Sequence, residues 1–201
     1  ITGASIARDA AMRGFRTALV EARDLASGTS SLSSRLIHGG LRYLEQGHFR
    51  LVHEATRERR TLLRIAPHLV RPLAFVFPVH QGDRVPLWQI WAGIWLYDLL
   101  AAFRNVKRHR FLGKRGLLQL EPMLRDKGLQ GGARYYDAQC DDARLVVATA
   151  RSAIRHGAQV ANYMAVEELL KADGRVRGAR IRDRLTGATG NNLKSATLDL
   201  P

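Results

Sequence analysis

Gly3 opens an alanine-rich stretch, and Glu21 closes a short apolar run 18 residues later. The pair matches the second half of a dinucleotide fingerprint, in which G-x-G-x-x-G is followed by an acid about 20 residues on. Its chemistry is the recognition of a pyrophosphate and a ribose. A helix N-terminus offers unpaired N–H groups and partial positive charge to phosphates. The acid accepts hydrogen bonds from ribose hydroxyls and disfavours a 2′-phosphate, which favours FAD or NAD over NADP. Gly3 reads as the third glycine, so the first two glycines and the first strand are expected before Ile1. Taken alone, the pair also fits an ordinary helix–strand unit ending in a surface glutamate.

A second group runs from Thr29 to His38 (TSSLSSRLIH) and continues as His38-Gly39-Gly40-Leu41-Arg42-Tyr43-Leu44-Glu45. Short hydroxyl side chains and open backbone amides can wrap a polar, phosphate-bearing ligand. A serine-rich linker has the same composition, but a linker has no need of the mixture that follows. Paired glycines let the backbone approach a planar ring, and the Arg42 fork suits a phosphate. Other chemistries lack their residues. His53-Glu54 has no second histidine at zincin spacing, so no metal site is expected. There is no G-x-S-x-G elbow and no G-x-x-x-x-G-K-[ST] loop.

The elements that would position these groups follow from periodicity. Residues 4–13 read as a helix with one small-residue side, stopped at Gly14, and residues 17–20 as a buried parallel strand. Residues 24–40 read as a loop. A helix is expected over 49–65, ended by Pro67, and a strand over 73–79 with Pro78 near a sheet edge. The stretch 85–103 is the most apolar, but Gln89 and Asp98 lie within it, so a buried or interfacial helix is expected rather than a membrane span. Trp88, Trp91 and Trp95 recur there at helical spacing, consistent with core packing or with docking at a membrane surface. Asp141 or Asp142 is expected to cap a helix over 143–155, with a role in capping and a charge pair that includes Arg144. Strands are expected in the first half of 159–170 and over 176–184, and residues 187–190 read as a hairpin turn.

The chain has 201 residues, 46% of them hydrophobic, enough to bury a core. Its single cysteine, Cys140, excludes an internal disulfide. The formal charge of +14 raises anionic lipid and nucleic acid as partners, beside a merely solvated basic surface. No zinc-finger, helix-turn-helix or RNA-recognition signature is present, so nucleic acid is not expected.

The runs SSRLIHGGLRYLEQGHFRLVHEA, APHLVRPLAFVFP and DAQCDDARLVVA resemble the FAD-dependent, respiratory glycerol-3-phosphate dehydrogenase family, from Ile1 to about Arg184. The resemblance implies an α/β fold: a Rossmann-like FAD-binding domain of the amino-acid-oxidase type, interrupted by part of an α+β substrate or cap domain. The FAD domain would take 1–45 and 125–201, and the cap 46–124. The chain would be a fragment, missing its first strand and its C-terminal part, and would bind FAD weakly or not at all by itself. By position, Gly3 would lie under the FAD pyrophosphate and Glu21 would hold the adenosine ribose. Thr29, Ser30, Ser33, Arg35, Leu36 and His38 would line the flavin and pyrophosphate, with Gly39 and Gly40 close to the isoalloxazine. Arg42 would bind the substrate phosphate with Tyr43 nearby, and His38 is a candidate general base. The implied partners are sn-glycerol 3-phosphate, a quinone acceptor and an anionic membrane surface, for a cytoplasmic protein held peripherally at the inner membrane. The alternatives are another FAD-dependent oxidase of the amine or amino-acid oxidase fold, or a non-catalytic basic fragment that binds membrane or nucleic acid.

Overall fold

The computed structural model describes residues 1–38, 46–100 and 107–194. In chain order the elements are α1 (Thr2–Met12), β1 (Ala18–Val20), a 3-10 turn (Thr29–Ser31), β2 (Leu36–Ile37), α2 (Phe49–Ile65), β3 (Val70–His80), α3 (Leu87–Leu100), β4 (Arg110–Gly113), α4 (Lys114–Leu120), β5 (Leu129–Cys140), α5 (Asp142–Arg155), β6 (Gln159–Ala161), β7 (Met164–Ala172), β8 (Arg175–Asp183) and β9 (Thr189–Lys194). They fall into two compact units, Ile1–Ser34 with Asp141–Pro201, and Arg35–Cys140.

In the first unit, α1 buries Ala4, Ala7 and Ala11, and α5 buries Val146, Ala150 and Ala153. Side chains this small let the two helices approach closely, and the shared core takes in Leu19 and Val160 from the strands beside them. Arg8 Nε closes the seam by donating to Ser152 Oγ at 2.9 Å. Gly14 takes a φ of +82° where α1 ends, a conformation that L side chains rarely adopt. β1 pairs in parallel with β6, Leu19 opposite Val160. β7, β8 and β9 form an antiparallel meander. The β8–β9 connection falls at 184–188, with Gly187 at φ +75°; of the turn expected at 187–190, Thr189 and Gly190 already belong to β9.

The second unit is built on β5. One edge of β5 pairs with β3 along its length, and the other pairs with β2 and β4. Among the described residues β3 is thus an edge strand, where Pro72 and Pro78 are tolerated. Gly131 and Gly132 let neighbours close over the strand. A Cβ on Gly132 would collide with the Phe77 carbonyl oxygen and come within 3.1 Å of Leu117 Cδ1. α2 matches its expected span. The apolar stretch after Pro86 is helical, but among the described residues the ones it buries are Ile94 and Tyr97. Trp88, Trp91 and Trp95 are 71, 52 and 45% exposed, so core packing does not describe them. The sequence reading had no strand at 36–37, because two residues gain a register only from the partner strand, here Ala138 and Gln139. Among the described residues no helix is long and apolar enough to cross a membrane.

Candidate functional site

α1 begins without a side-chain cap, and its first backbone bond runs from Ser5 N–H to the Ile1 carbonyl at 2.9 Å. The N–H groups of Thr2, Gly3 and Ala4 therefore have no partner within the helix. Ile1, Gly3 and Ala4 line one wall of a cleft of about 420 Å³, within the size range of ligand sites. A Cβ on Gly3 would meet Leu19 Cδ1 at 3.4 Å, an ordinary contact. Close helix–strand packing thus does not demand glycine at this position; its missing side chain leaves the cleft wall open.

Glu21 follows β1 and is fixed from both sides. Its N–H donates to the Ala161 carbonyl at 3.0 Å, and its carbonyl accepts from Met164 N–H at 2.8 Å. Its carboxylate lines the cleft, with Oε1 accepting from Arg23 N–H at 2.9 Å. The other oxygen remains available to a ligand hydroxyl. Asp24 extends the clip: its Oδ1 accepts from Asn162 Nδ2 at 3.0 Å.

Thr29 and Ser30 form the opposite rim, on the 3-10 turn after Gly28. Ala26 holds a φ of +65°, and Ser31 Oγ braces it by donating to its carbonyl at 2.6 Å. The structure therefore brings Gly3, Glu21, Thr29 and Ser30 to one cleft. Arg23, Ser27 and Gly28 line it as well and were not singled out in the sequence. The run Ser27-Gly28-Thr29 carried a usable signal, since a glycine between hydroxyl residues exposes backbone amides. Arg23 carried none.

Ser33 Oγ donates to Asp142 Oδ2 at the start of α5. Asp141 is the residue that caps that helix, its Oδ1 accepting from Arg144 N–H at 3.1 Å. Arg144 thus answers Asp141 through its backbone, where the sequence suggested a charge pair. Arg35 has a φ of +58°, and its carbonyl accepts from Cys140 N–H at 2.8 Å. Leu36 is half-buried in β2, and His38 follows that strand, exposed. Gly39, Gly40, Arg42 and Tyr43 lie outside the described residues.

This donor set fits a dinucleotide. It offers amides and a helix N-terminus for phosphate, a carboxylate for ribose and hydroxyls along the rim. The family model for FAD dependent oxidoreductases matches residues 1–197. The chain is 49% identical over 192 residues to a glycerol-3-phosphate dehydrogenase of Mycobacterium leprae, covering 94% of this chain and 32% of that protein. It is 46% identical over 199 residues to the human mitochondrial glycerol-3-phosphate dehydrogenase, covering 92% of this chain and 27% of that protein. Among solved structures, a Bacillus halodurans glycerol-3-phosphate dehydrogenase complexed with FAD aligns with a TM-score of 0.69 at 33% identity, covering 94% of this chain and 30% of that one. L-proline dehydrogenase from P. horikoshii shares the fold, with a TM-score of 0.65 at 15% identity, covering 89% and 46%. The chain spans about a third or less of the length of these glycerol-3-phosphate dehydrogenases. It belongs to the FAD dependent oxidoreductase family, whose cofactor is FAD, and its α/β fold is that family's FAD-binding fold.

Proposed function

We propose that the protein to which this chain belongs oxidises sn-glycerol 3-phosphate to dihydroxyacetone phosphate and passes the electrons to a quinone. The observation that carries the reading is the cleft at the start of α1, lined by Glu21, in a chain 46–49% identical to glycerol-3-phosphate dehydrogenases. When bound, FAD would supply the two-electron acceptor, at its N5, for the hydride from C2 of the substrate. The amides at the start of α1 hold the pyrophosphate, and Glu21 holds the adenosine ribose. Thr29, Ser30, Ser33, Arg35 and Leu36 line the path of the cofactor, and Gly39 and Gly40 leave room for its ring. Arg42 binds the substrate phosphate as a fork, with Tyr43 beside it. His38 takes the C2 hydroxyl proton. In this reading the FAD domain takes 1–45 and 125–201, and 46–124 belong to the cap.

The aromatic face of α3 supports a place at an anionic membrane surface. Trp91 and Trp95 stand 6.1 Å apart, centroid to centroid, and continue through His109 and Phe111 as one connected set of rings. Lys107, Arg108 and Arg110 are exposed next to these rings in the chain. Tryptophan with flanking cations suits a lipid headgroup layer, consistent with peripheral attachment to the inner membrane from the cytoplasmic side.

The test uses the full-length protein reconstituted with FAD. Anaerobic sn-glycerol 3-phosphate should bleach the flavin absorbance, and a quinone should restore it. A flavin that stays oxidised under these conditions overturns the reading.

A further inference from the structure

β4 and β5 set two arginines face to face. Arg110 pairs with Arg134 in the antiparallel register, so their Cβ atoms lie about 4.5–5.5 Å apart on one face of the sheet. Both line a cavity of about 250 Å³, together with Leu112 of β4 and Gly116, Gln119 and Leu120 of α4. Phe111, between Arg110 and Leu112, belongs to the other face, where its ring lies 6.0 Å from that of Trp91.

Like charges directly opposite on paired strands repel, and elsewhere the chain answers its arginines. On the β7–β8 pair, Arg180 stands opposite Glu168 and meets it at 2.7 Å. Arg59 of α2 is buried, and its Nη1 donates to Asp137 Oδ1 of β5 and, at 2.7 Å, to Tyr97 Oη of α3. Arg110 and Arg134 have no such answer: among the described residues neither makes an ion pair. Arg134 is half-buried, and its Nε is sealed from water without a hydrogen-bond partner. A donor left in that state costs the fold its desolvation. The Arg134 guanidinium is also steadied over the Tyr136 ring, 5.1 Å from its centroid. Lys107 Nζ, 5.4 Å from the same centroid, adds a third cation.

We propose that Arg110 and Arg134 form a binding site for a phosphomonoester, with Leu112 and Leu120 as the wall for its carbon chain and Gln119 as a neutral hydrogen-bonding group. Two guanidinium forks present paired N–H groups to tetrahedral oxygens. A phosphomonoester carries a charge of about −1.5 to −2 at pH 7, which two guanidiniums balance; a carboxylate would leave one of them unanswered. A cavity of this size lies below the range of drug-sized ligands and suits a phosphate on a short chain. The same chemistry is offered by a soluble phosphate ester and by the headgroup of a lipid phosphomonoester. The site shares no residue with the cleft at Gly3 and Glu21.

The test uses the full-length, FAD-loaded protein and phenylglyoxal, with labelling of each arginine read by mass spectrometry. Inorganic phosphate at about 10 times its Kd should slow labelling of Arg110 and Arg134 by about 10-fold relative to chloride of equal ionic strength. Exposed Arg108 and Arg115 should label at an unchanged rate. Arg134→Gln should weaken phosphate binding by about 10-fold, read as lost protection of Arg110. Arg110→Gln, a change at an exposed residue, gives the same reading at Arg134 if Arg134→Gln fails to fold. Phosphatidylcholine vesicles carrying phosphatidate, matched in surface charge by vesicles carrying phosphatidylglycerol, separate the two sources. Protection of Arg110 by phosphatidate beyond that by phosphatidylglycerol supports the site as one for a lipid headgroup, and protection by inorganic phosphate alone supports it as one for a soluble ester. Arg110 and Arg134 that label no more slowly in phosphate than in chloride, nor with phosphatidate than with phosphatidylglycerol, overturn the proposal.

Discussion

Two carboxylates separate the two units more clearly than their elements do. Glu21 lines an open cleft, and its side chain is held by one backbone N–H. Asp137 is sealed in the second unit and held by an arginine and a tyrosine hydroxyl. A carboxylate left near water with a spare oxygen can bind a ligand at little cost to the fold. A carboxylate taken out of water must be answered by side chains, and any change to it is felt by the fold. The first unit is built from backbone groups and small side chains and can receive something; the second is built from an oriented side-chain cluster and can hold something in place.

The largest expected effect breaks that contrast at its buried end. Asp137→Leu alone leaves the Arg59 charge uncompensated and should cost about 3–5 kcal/mol of stability. Adding Arg59→Met should restore most of it. Glu21→Gln should leave stability almost unchanged, because its only side-chain bond among the described residues is to Arg23 N–H. It should instead weaken FAD binding to the full-length apoprotein by about 10-fold, the loss of one charge-assisted hydrogen bond. Denaturant midpoints and flavin fluorescence titration separate the two. Equal stability losses at Glu21 and Asp137 would erase the distinction.

A smaller effect sharpens the contrast in packing. Gly132→Ala would force a methyl group into the Phe77 carbonyl oxygen, backbone that cannot yield cheaply. It should cost about 1–3 kcal/mol or more. Gly3→Ala meets only Leu19 Cδ1 at 3.4 Å, and should lie within about 0.5 kcal/mol of wild type. The same pair of thermal or chemical melts reads both. A Gly3→Ala loss as large as that at Gly132 would mean that α1 sits closer to β1 than the structure places it.

The first unit was largely legible in the sequence, because its signals are local. The alanine spacing of α1, the apolar run of β1, the spacing of Gly3 and Glu21 and the cap at Asp141 all lie within a few turns of chain. The second unit was legible in its elements and illegible in its arrangement. α2 has the expected bounds, yet Arg59 within it looks like one more cation of a charged helix, and its partner lies 78 residues away. β2 is set by pairing with β5, and no pattern of two residues announces that. The tryptophans of α3 misled for a related reason. The apolar residues of this helix are not confined to one side, so spacing alone could not say that Ile94 and Tyr97 face inward. Charge spread over the chain likewise hid Arg59, the one cation that is buried among the described residues.

The smallest expected effect sets the units apart by pH. Tyr135 stacks on Phe75 with ring centroids 5.3 Å apart, and burial pushes its phenol above the ordinary value of 10.0, with repulsion from Tyr97 as the lesser cause. The folded protein then keeps a proton that the unfolded chain releases. That contribution is complete below about pH 10 and is lost as pH rises through the folded value. In the first unit, half-buried Asp183 accepts from Leu185 N–H and from Thr186, and these bonds hold its carboxyl below the ordinary 3.8. Its contribution has the opposite sense: present above that value and lost as pH falls through the folded one. Tyr135→Phe should therefore flatten the alkaline side of the stability profile and leave the acid side alone, and Asp183→Asn should do the reverse. Denaturant midpoints across pH read both, and alkaline slopes that match in wild type and Tyr135→Phe would remove the tyrosine from the account.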